Sequence, residues 1–172
     1  QEMSRGLGDV YKRQASTPRN PLPVPVRLGF VGADGGVARF RREDENEARD
    51  EHVLLLDSAS ATVRFVAEDA GVGTATPSVL RGFSAPVRLV DDLSADERLH
   101  LMAHDSDLFN RWDSSQMLAT DAILALAAGE DVDVEALAGG YRQILGDDSL
   151  LDDFKAGALR LPGLAVLEAA RQ

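Results

Sequence analysis

His100 and His104 stand four residues apart in His100-Leu101-Met102-Ala103-His104. That spacing puts both imidazoles on one face of a helix, as the zinc-binding helices of many hydrolases do. The rest of such a site does not follow. A glutamate general base is needed directly after the first histidine, and Leu101 stands there. The third ligand, from a following helix, would fall at Ile123, with Asp121 near but out of turn. One surface histidine and one packed against the next helix account for the pair. A small metalloprotein built on these two residues ranks last of three readings, and zinc titration tests it.

Other chemistry-bearing patterns are also incomplete. No serine sits in a Gly-x-Ser-x-Gly elbow. Gly71-Val72-Gly73-Thr74 has no following lysine and opens no helix, so it does not read as a phosphate loop. Asp147-Asp148 and Asp152-Asp153 are expected at helix starts, where carboxylates complement the dipole. Asp107, Arg111 and Asp113 are expected to form helix-surface pairs worth about 0.2–0.5 kcal/mol each. No residue of this chain is therefore assigned a catalytic, cofactor-binding or metal-binding role.

The 172 residues suffice for one domain or two small ones. Cysteine is absent, which excludes disulfides, thiolate metal sites and a thiol nucleophile, and fits a reducing cytoplasm. No apolar run reaches the roughly 18–20 residues of a membrane span, and no secretory h-region opens the chain. The net charge of −11 lies almost wholly in Asp91–Gln172, whereas charges before Val90 cancel. An acidic surface of this kind repels phosphate backbones, so neither nucleic acid nor membrane is an expected partner.

Residues 21–90 read as β structure. Leu22–Val31 is rich in Val and Leu, and Pro23 and Pro25 require it to enter along a sheet edge. Gly32-Ala33-Asp34-Gly35-Gly36 is a hairpin signal, with Val37–Phe40 as the return strand. Arg41–Glu51 carries mixed charge and no hydrophobic period. Val53–Leu56, Thr62–Val66, Val79-Leu80 and Pro86–Leu89 complete a set of short strands. In the second of these, Val63, Phe65 and Ala67 face inward. Short strands with Gly/Pro punctuation predict a small antiparallel, immunoglobulin-like β-sandwich.

After Asp91 the period changes to that of helices. Ser94-Ala95-Asp96-Glu97 is a capping box that opens a helix to about His104. Asp107 caps a longer helix through Ala128, ended by Gly129. On it Phe109, Trp112, Gln116, Ala119, Ile123 and Leu126 form one stripe, with Trp112 as the expected core anchor. Asp133 opens a third helix to Gly146. Ser149 or a neighbour caps a fourth, and Leu164–Ala170 is a fifth, after Pro162-Gly163. Helices in close succession predict an all-α helical array.

Three stretches carry a family resemblance. Asn20-Pro21-Leu22-Pro23-Val24-Pro25-Val26-Arg27-Leu28-Gly29 resembles the strand that opens the third domain of the bacterial aminopeptidase N family of zinc gluzincins. Val79-Leu80-Arg81-Gly82-Phe83-Ser84-Ala85-Pro86-Val87 resembles the exit of that domain. His104-Asp105-Ser106-Asp107, with Phe109-Asn110-Arg111-Trp112-Asp113 and Gln116, resembles the start of the large C-terminal helical domain. The matches are in order and cover nearly all of Pro18–Gln116. The resemblance implies a cytoplasmic exopeptidase that takes N-terminal residues from peptides with one zinc. In that family the zinc motif and the Gly-Ala-Met-Glu-Asn motif precede this region, so no catalytic residue carries over. It implies a division into residues 15–90, a β-sandwich, and residues 91–172, the truncated start of the helical domain. The partners it implies are the remaining domains of the same polypeptide and the parent's peptide substrates. Residues 1–14 resemble translated adapter sequence in Gly6-Leu7-Gly8-Asp9-Val10-Tyr11-Lys12-Arg13-Gln14 and are expected to be an extraneous scar. The competing reading is a stand-alone immunoglobulin-like and helical module that binds a protein partner.

Overall fold

The structure, a computed structural model, describes residues 22–68 and 75–171. The expected scar at 1–14 and the Gly71-Val72-Gly73-Thr74 segment lie outside the described residues. Strand β1 (Val24–Val31) organises the first part. Its Leu28 and Gly29 pair antiparallel with both β4 (Glu51–Leu56) and β6 (Thr76–Val79), so these strands flank it on opposite edges. Further along, β2 (Val37–Ala38) pairs with Phe30 and Val31. The Arg27 N–H turns away from β4 and donates to Ser84 Oγ at 3.0 Å. Pro25, two residues earlier, faces the same edge, where β6 does not reach. The missing proline donor therefore costs no ladder bond. The strand enters along an edge, as its prolines require, and becomes central only from Leu28.

The expected return strand divides at Arg39. Beyond β2, strand β3 (Phe40–Arg42) leaves for a second sheet, where it pairs with β5 (Phe65–Ala67). Phe30 joins the two layers, with ring centroids 4.2 Å from Phe40 and 5.2 Å from Phe65. His52 is buried beside Phe65, its Nε2 2.7 Å from the Phe40 carbonyl. Val26, Leu80 and Ala85, with Leu54 and Leu56 against them, fill the other end of the sandwich. The Gly32–Gly36 turn closes with two backbone bonds of 2.8 Å, and Gly35 takes the φ of +82° that favours glycine. Pro86–Leu89 is not a strand. Pro86 offers no N–H, and Val87 N–H turns back to the Ala85 carbonyl at 2.8 Å, so the segment runs as an exposed connector.

One turn in this part is strained. Leu80, Gly82 and Phe83 all have positive φ, at 59°, 61° and 52°. For Leu80 and Phe83 this left-handed backbone costs roughly 1–2 kcal/mol each. Something around the turn must hold it there.

Helix α1 (Ala95–His104) opens on the complete capping box of Ser94 and Glu97. Helices α2 (Leu108–Ala128) and α3 (Val134–Gly146) are capped by Asp107 and Asp133. α2 stops at Gly129, whose φ is 81°. The short α4 (Asp152–Ala158) and α5 (Leu164–Ala170) follow. Ser149 does not cap α4. Its amide and hydroxyl instead donate to Asp147, and Leu151 takes the cap position without a side-chain bond. Met102, Leu118, Ile144 and Ala158 form the helical core, with Tyr141 and Phe154 packed on it. None of the described helices is long and apolar enough to cross a membrane.

The apolar stripe on α2 is only partly buried: Ala119 is covered, Gln116 and Ile123 are half-buried, and Phe109, Trp112 and Leu126 are exposed. The buried residues are Asn110, Arg111, Ser114, Ser115, Leu118, Ala119 and Thr120. Trp112 is 37% exposed and is not a core anchor. Phe109 and Leu126 are exposed beside it. Trp112→Ala is therefore expected to cost about 1–3 kcal/mol, less than the 3–5 kcal/mol of a fully buried ring. Iodide should quench the indole readily. Blue-shifted emission with a large loss in urea midpoint would contradict the packing.

Candidate functional site: the junction of sheet and helices

The chemistry-bearing residues that do gather lie where the strained turn meets the helices. Arg81 is 4% exposed. Its Nη1 lies 3.2 Å from Glu51 Oε1 on β4, and its Nη2 lies 3.2 Å from Asp105 Oδ1 and bonds Ser106 Oγ. One side chain thus spans the sheet and the α1–α2 corner. The site fits because residue 29 is glycine: a methyl there would overlap Arg81 Nη1 and stand 3.0 Å from the Asp50 carbonyl.

Asp107 caps α2 through the Asn110 N–H and also accepts from the Gly82 N–H at 2.7 Å. Asn110 donates to Ser78 Oγ at 2.8 Å and to the Val79 carbonyl at 3.0 Å. Asp105 is fully buried. Burial pushes its carboxyl above the ordinary aspartate range, against the pull of Ser78, the Asp107 amide and Arg81. Its charge therefore weighs against folding, and the pairing with Arg81 offsets that weight.

The two histidines serve the same junction. His100 Nε2 lies 2.7 Å from the Gly32 carbonyl, which makes it a donor. His104 fills the space over Gly35, where a Cβ would stand 2.6 Å from Nδ1. Burial, then the charges of His100 and Arg111, lower the His104 pKa. The rings stand 5.0 Å apart, but His100 Nε2 is committed to a carbonyl and Leu101 is buried in the base position. Among the described residues no third His, Cys, Asp or Glu joins them in a metal-binding group. This donor set does not fit a zinc ion.

Arg111 is a staple, not a surface partner. It is 5% exposed, and its Nε and Nη2 donate to the Met102 and Ala103 carbonyls at 3.1 and 2.7 Å. These belong to the last turn of α1, whose carbonyls have no intrahelical donor. Its Nη1 reaches Asp147 Oδ2 at 3.0 Å, just past the end of α3. Asp147 is thus at a helix end, not a helix start. Hydrogen bonds from Ser149 and Arg111 hold its carboxyl down from 3.8 to about 2. A folded pKa below the unfolded one contributes stability that is present above pH 3.8 and lost as pH falls toward about 2. Asp147→Asn should flatten that acid limb in urea midpoints measured against pH. An unchanged limb would show that the pair adds nothing.

Arg81, Asp105, Asn110 and Arg111 were not separable from their neighbours in the sequence as site residues. Their only signal was membership in the motifs around 79–87 and 104–113. A groove of about 1030 Å³ also lies between α2, α5 and the connector, lined by Trp112, Met117, Leu161 and Val166 among others.

A family model described as a domain of unknown function with an Ig-like fold (DUF3458) matches residues 9–92. A second, described as a domain of unknown function with ARM repeats (DUF3458_C), matches residues 95–172. The chain is 41% identical over 137 residues to a protein named Aminopeptidase N from Caulobacter vibrioides, covering 78% of this chain and 14% of that one. It is 27% identical over 164 residues to Aminopeptidase N of Escherichia coli, covering 90% and 18%. The crystal structure of Legionella pneumophila aminopeptidase A in complex with aspartic acid matches with a TM-score of 0.67 at 25% identity, covering 87% and 16%. The chain spans less than a fifth of the length of each of these relatives.

Proposed function

This chain belongs to the aminopeptidase N family, and from that premise we propose that it is a non-catalytic, structural segment of a longer zinc-dependent aminopeptidase that removes N-terminal residues from peptides. In this reading residues 15–90 form the sandwich and residues 91–172 begin the helical domain. The segment links the catalytic domain to the helical lid and sets where that lid sits. Its partners are the other domains of the same polypeptide, and the parent works on peptides in the cytoplasm. Zinc would be held by those other domains, because the histidine pair here is spent on the Gly32–Gly36 turn.

The observation that carries the reading is the placement of the charged side chains. Arg81, Asp105, Asp107 and Asn110 each make at least one polar contact between the sandwich and the helices. A catalytic set would aim such groups into a cleft, with a free base near a nucleophile. A set that fixes an angle between two parts buries them, as here. The isolated chain is accordingly expected to show no hydrolysis of an alanyl chromogenic substrate, with or without added zinc. Chelator-sensitive turnover by the purified chain would overturn the proposal.

A further inference from the structure

The strained turn and the buried arginine at its centre belong together. Leu80, Gly82 and Phe83 hold left-handed backbone on either side of Arg81. Besides the burial of Leu80 in the sandwich core, the turn is gripped from outside: by Glu51, Asp105 and Ser106 on the Arg81 guanidinium, and by Asp107 on the Gly82 N–H. Three of those four grips, Asp105, Ser106 and Asp107, belong to the helical part. The remaining covalent link between the parts is the exposed connector that starts at Pro86 and has no strand pairing. It is tethered only near its end, where Arg98 lies 2.6 Å from Asp91. Phe83, thrown outward by its positive φ, is 55% exposed and meets Phe109 at 5.4 Å.

We propose that Leu80–Phe83 is a loaded latch: capture of Arg81 by Asp105 and Ser106 helps hold the turn in its strained form, and loss of that capture lets the turn relax and loosens the seat of the helical part, which His100 and Asn110 still tie to the sandwich. A turn of unstrained residues would hold one angle passively. A turn that relaxes when a single side chain is released gives two discrete arrangements, which is what a conformational device requires. The latch is a property of this chain and does not depend on the aminopeptidase reading.

The test uses the whole chain, which contains no cysteine of its own. Spin labels at Val53→Cys on β4 and Arg142→Cys on α3 report the distance between the parts; both positions are exposed. The parent chain should give one narrow distance. Arg81→Gln should broaden the distribution at least twofold while the circular dichroism of strands and helices is kept. Phe83→Gly, which removes strain at an exposed position, should narrow it again in the Arg81→Gln background. A structural arginine whose loss only opens a hole would not be rescued at residue 83. If Arg81→Gln alone unfolds the chain, Phe83→Gly must restore the fold. An unchanged distribution in Arg81→Gln overturns the latch. So does a broadened or unfolded state that Phe83→Gly leaves as it was.

Discussion

Arg111→Ala is expected to lower the stability of the chain by about 2–4 kcal/mol, mainly because two buried carbonyls lose a charged donor. The loss has two parts. The Met102 and Ala103 carbonyls lose their donor at the end of α1, where no intrahelical bond can replace it. Asp147 loses the Arg111 bond that, after Ser149, holds its pKa down. Because Arg111 touches the ends of α1 and α3 from the middle helix, its removal loosens three helices at once. Whole domains are stable by only about 5–15 kcal/mol, so the variant should unfold at a much lower urea midpoint and lie near its unfolding threshold at 37 °C. Arg111→Lys should recover little, because one ammonium cannot reach three acceptors in the fork geometry of a guanidinium. A midpoint within experimental error of the parent would mean that the three bonds are worth no more than solvent contacts.

The second large effect is expected from one methyl group. Gly29→Ala places a carbon where Arg81 Nη1 lies and 3.0 Å from the Asp50 carbonyl. The strand cannot yield, since Gly29 is paired on both edges with Glu51 and Ser78. The guanidinium must leave, and Asp105 is then buried without its cation. The expected cost is about 3–5 kcal/mol. A double-mutant cycle separates this from ordinary strand strain. With Arg81→Ala already in place, only the 3.0 Å approach to the Asp50 carbonyl remains, and Gly29→Ala should cost less, about 1–2 kcal/mol. Equal costs in both backgrounds would show that the backbone, not Arg81, resists the methyl.

These two arginines mark the limit of what the sequence made legible. Helix starts were readable because capping is local: Ser94 with Glu97, Asp107 and Asp133 each bond an amide within three residues. The left-handed stop at Gly129 and the hairpin at Gly32–Gly36 were readable for the same reason. The inward alternation of Val63, Phe65 and Ala67 also holds. Partner choice was not readable. On α2 the hydrophobic stripe suggested that Phe109 and Trp112 face the core, but the buried residues include Asn110, Arg111, Ser114 and Ser115 beside Leu118 and Ala119. Small and polar residues suit the buried face because it meets carbonyls and the turn after β6, which need donors. Arg111 looked like a surface residue because its three acceptors lie on two other helices. The mistaken strand at Pro86–Leu89 has a similar cause: β propensity describes a residue's fit to a sheet, and among the described residues no strand pairs with this segment.

We propose that this chain supplies geometry and not chemistry to a peptidase. The most direct test replaces the matching segment of the Caulobacter vibrioides Aminopeptidase N with residues 22–171 of this chain, with and without Arg111→Ala and Gly29→Ala. Hydrolysis of an alanyl substrate and bound metal are measured on the same purified samples. The unmodified graft should be active. Both substitutions should reduce turnover while the metal content per molecule stays the same, as that role requires. A graft that keeps full turnover with the junction broken, or substitutions that strip the metal in step with activity, would contradict it.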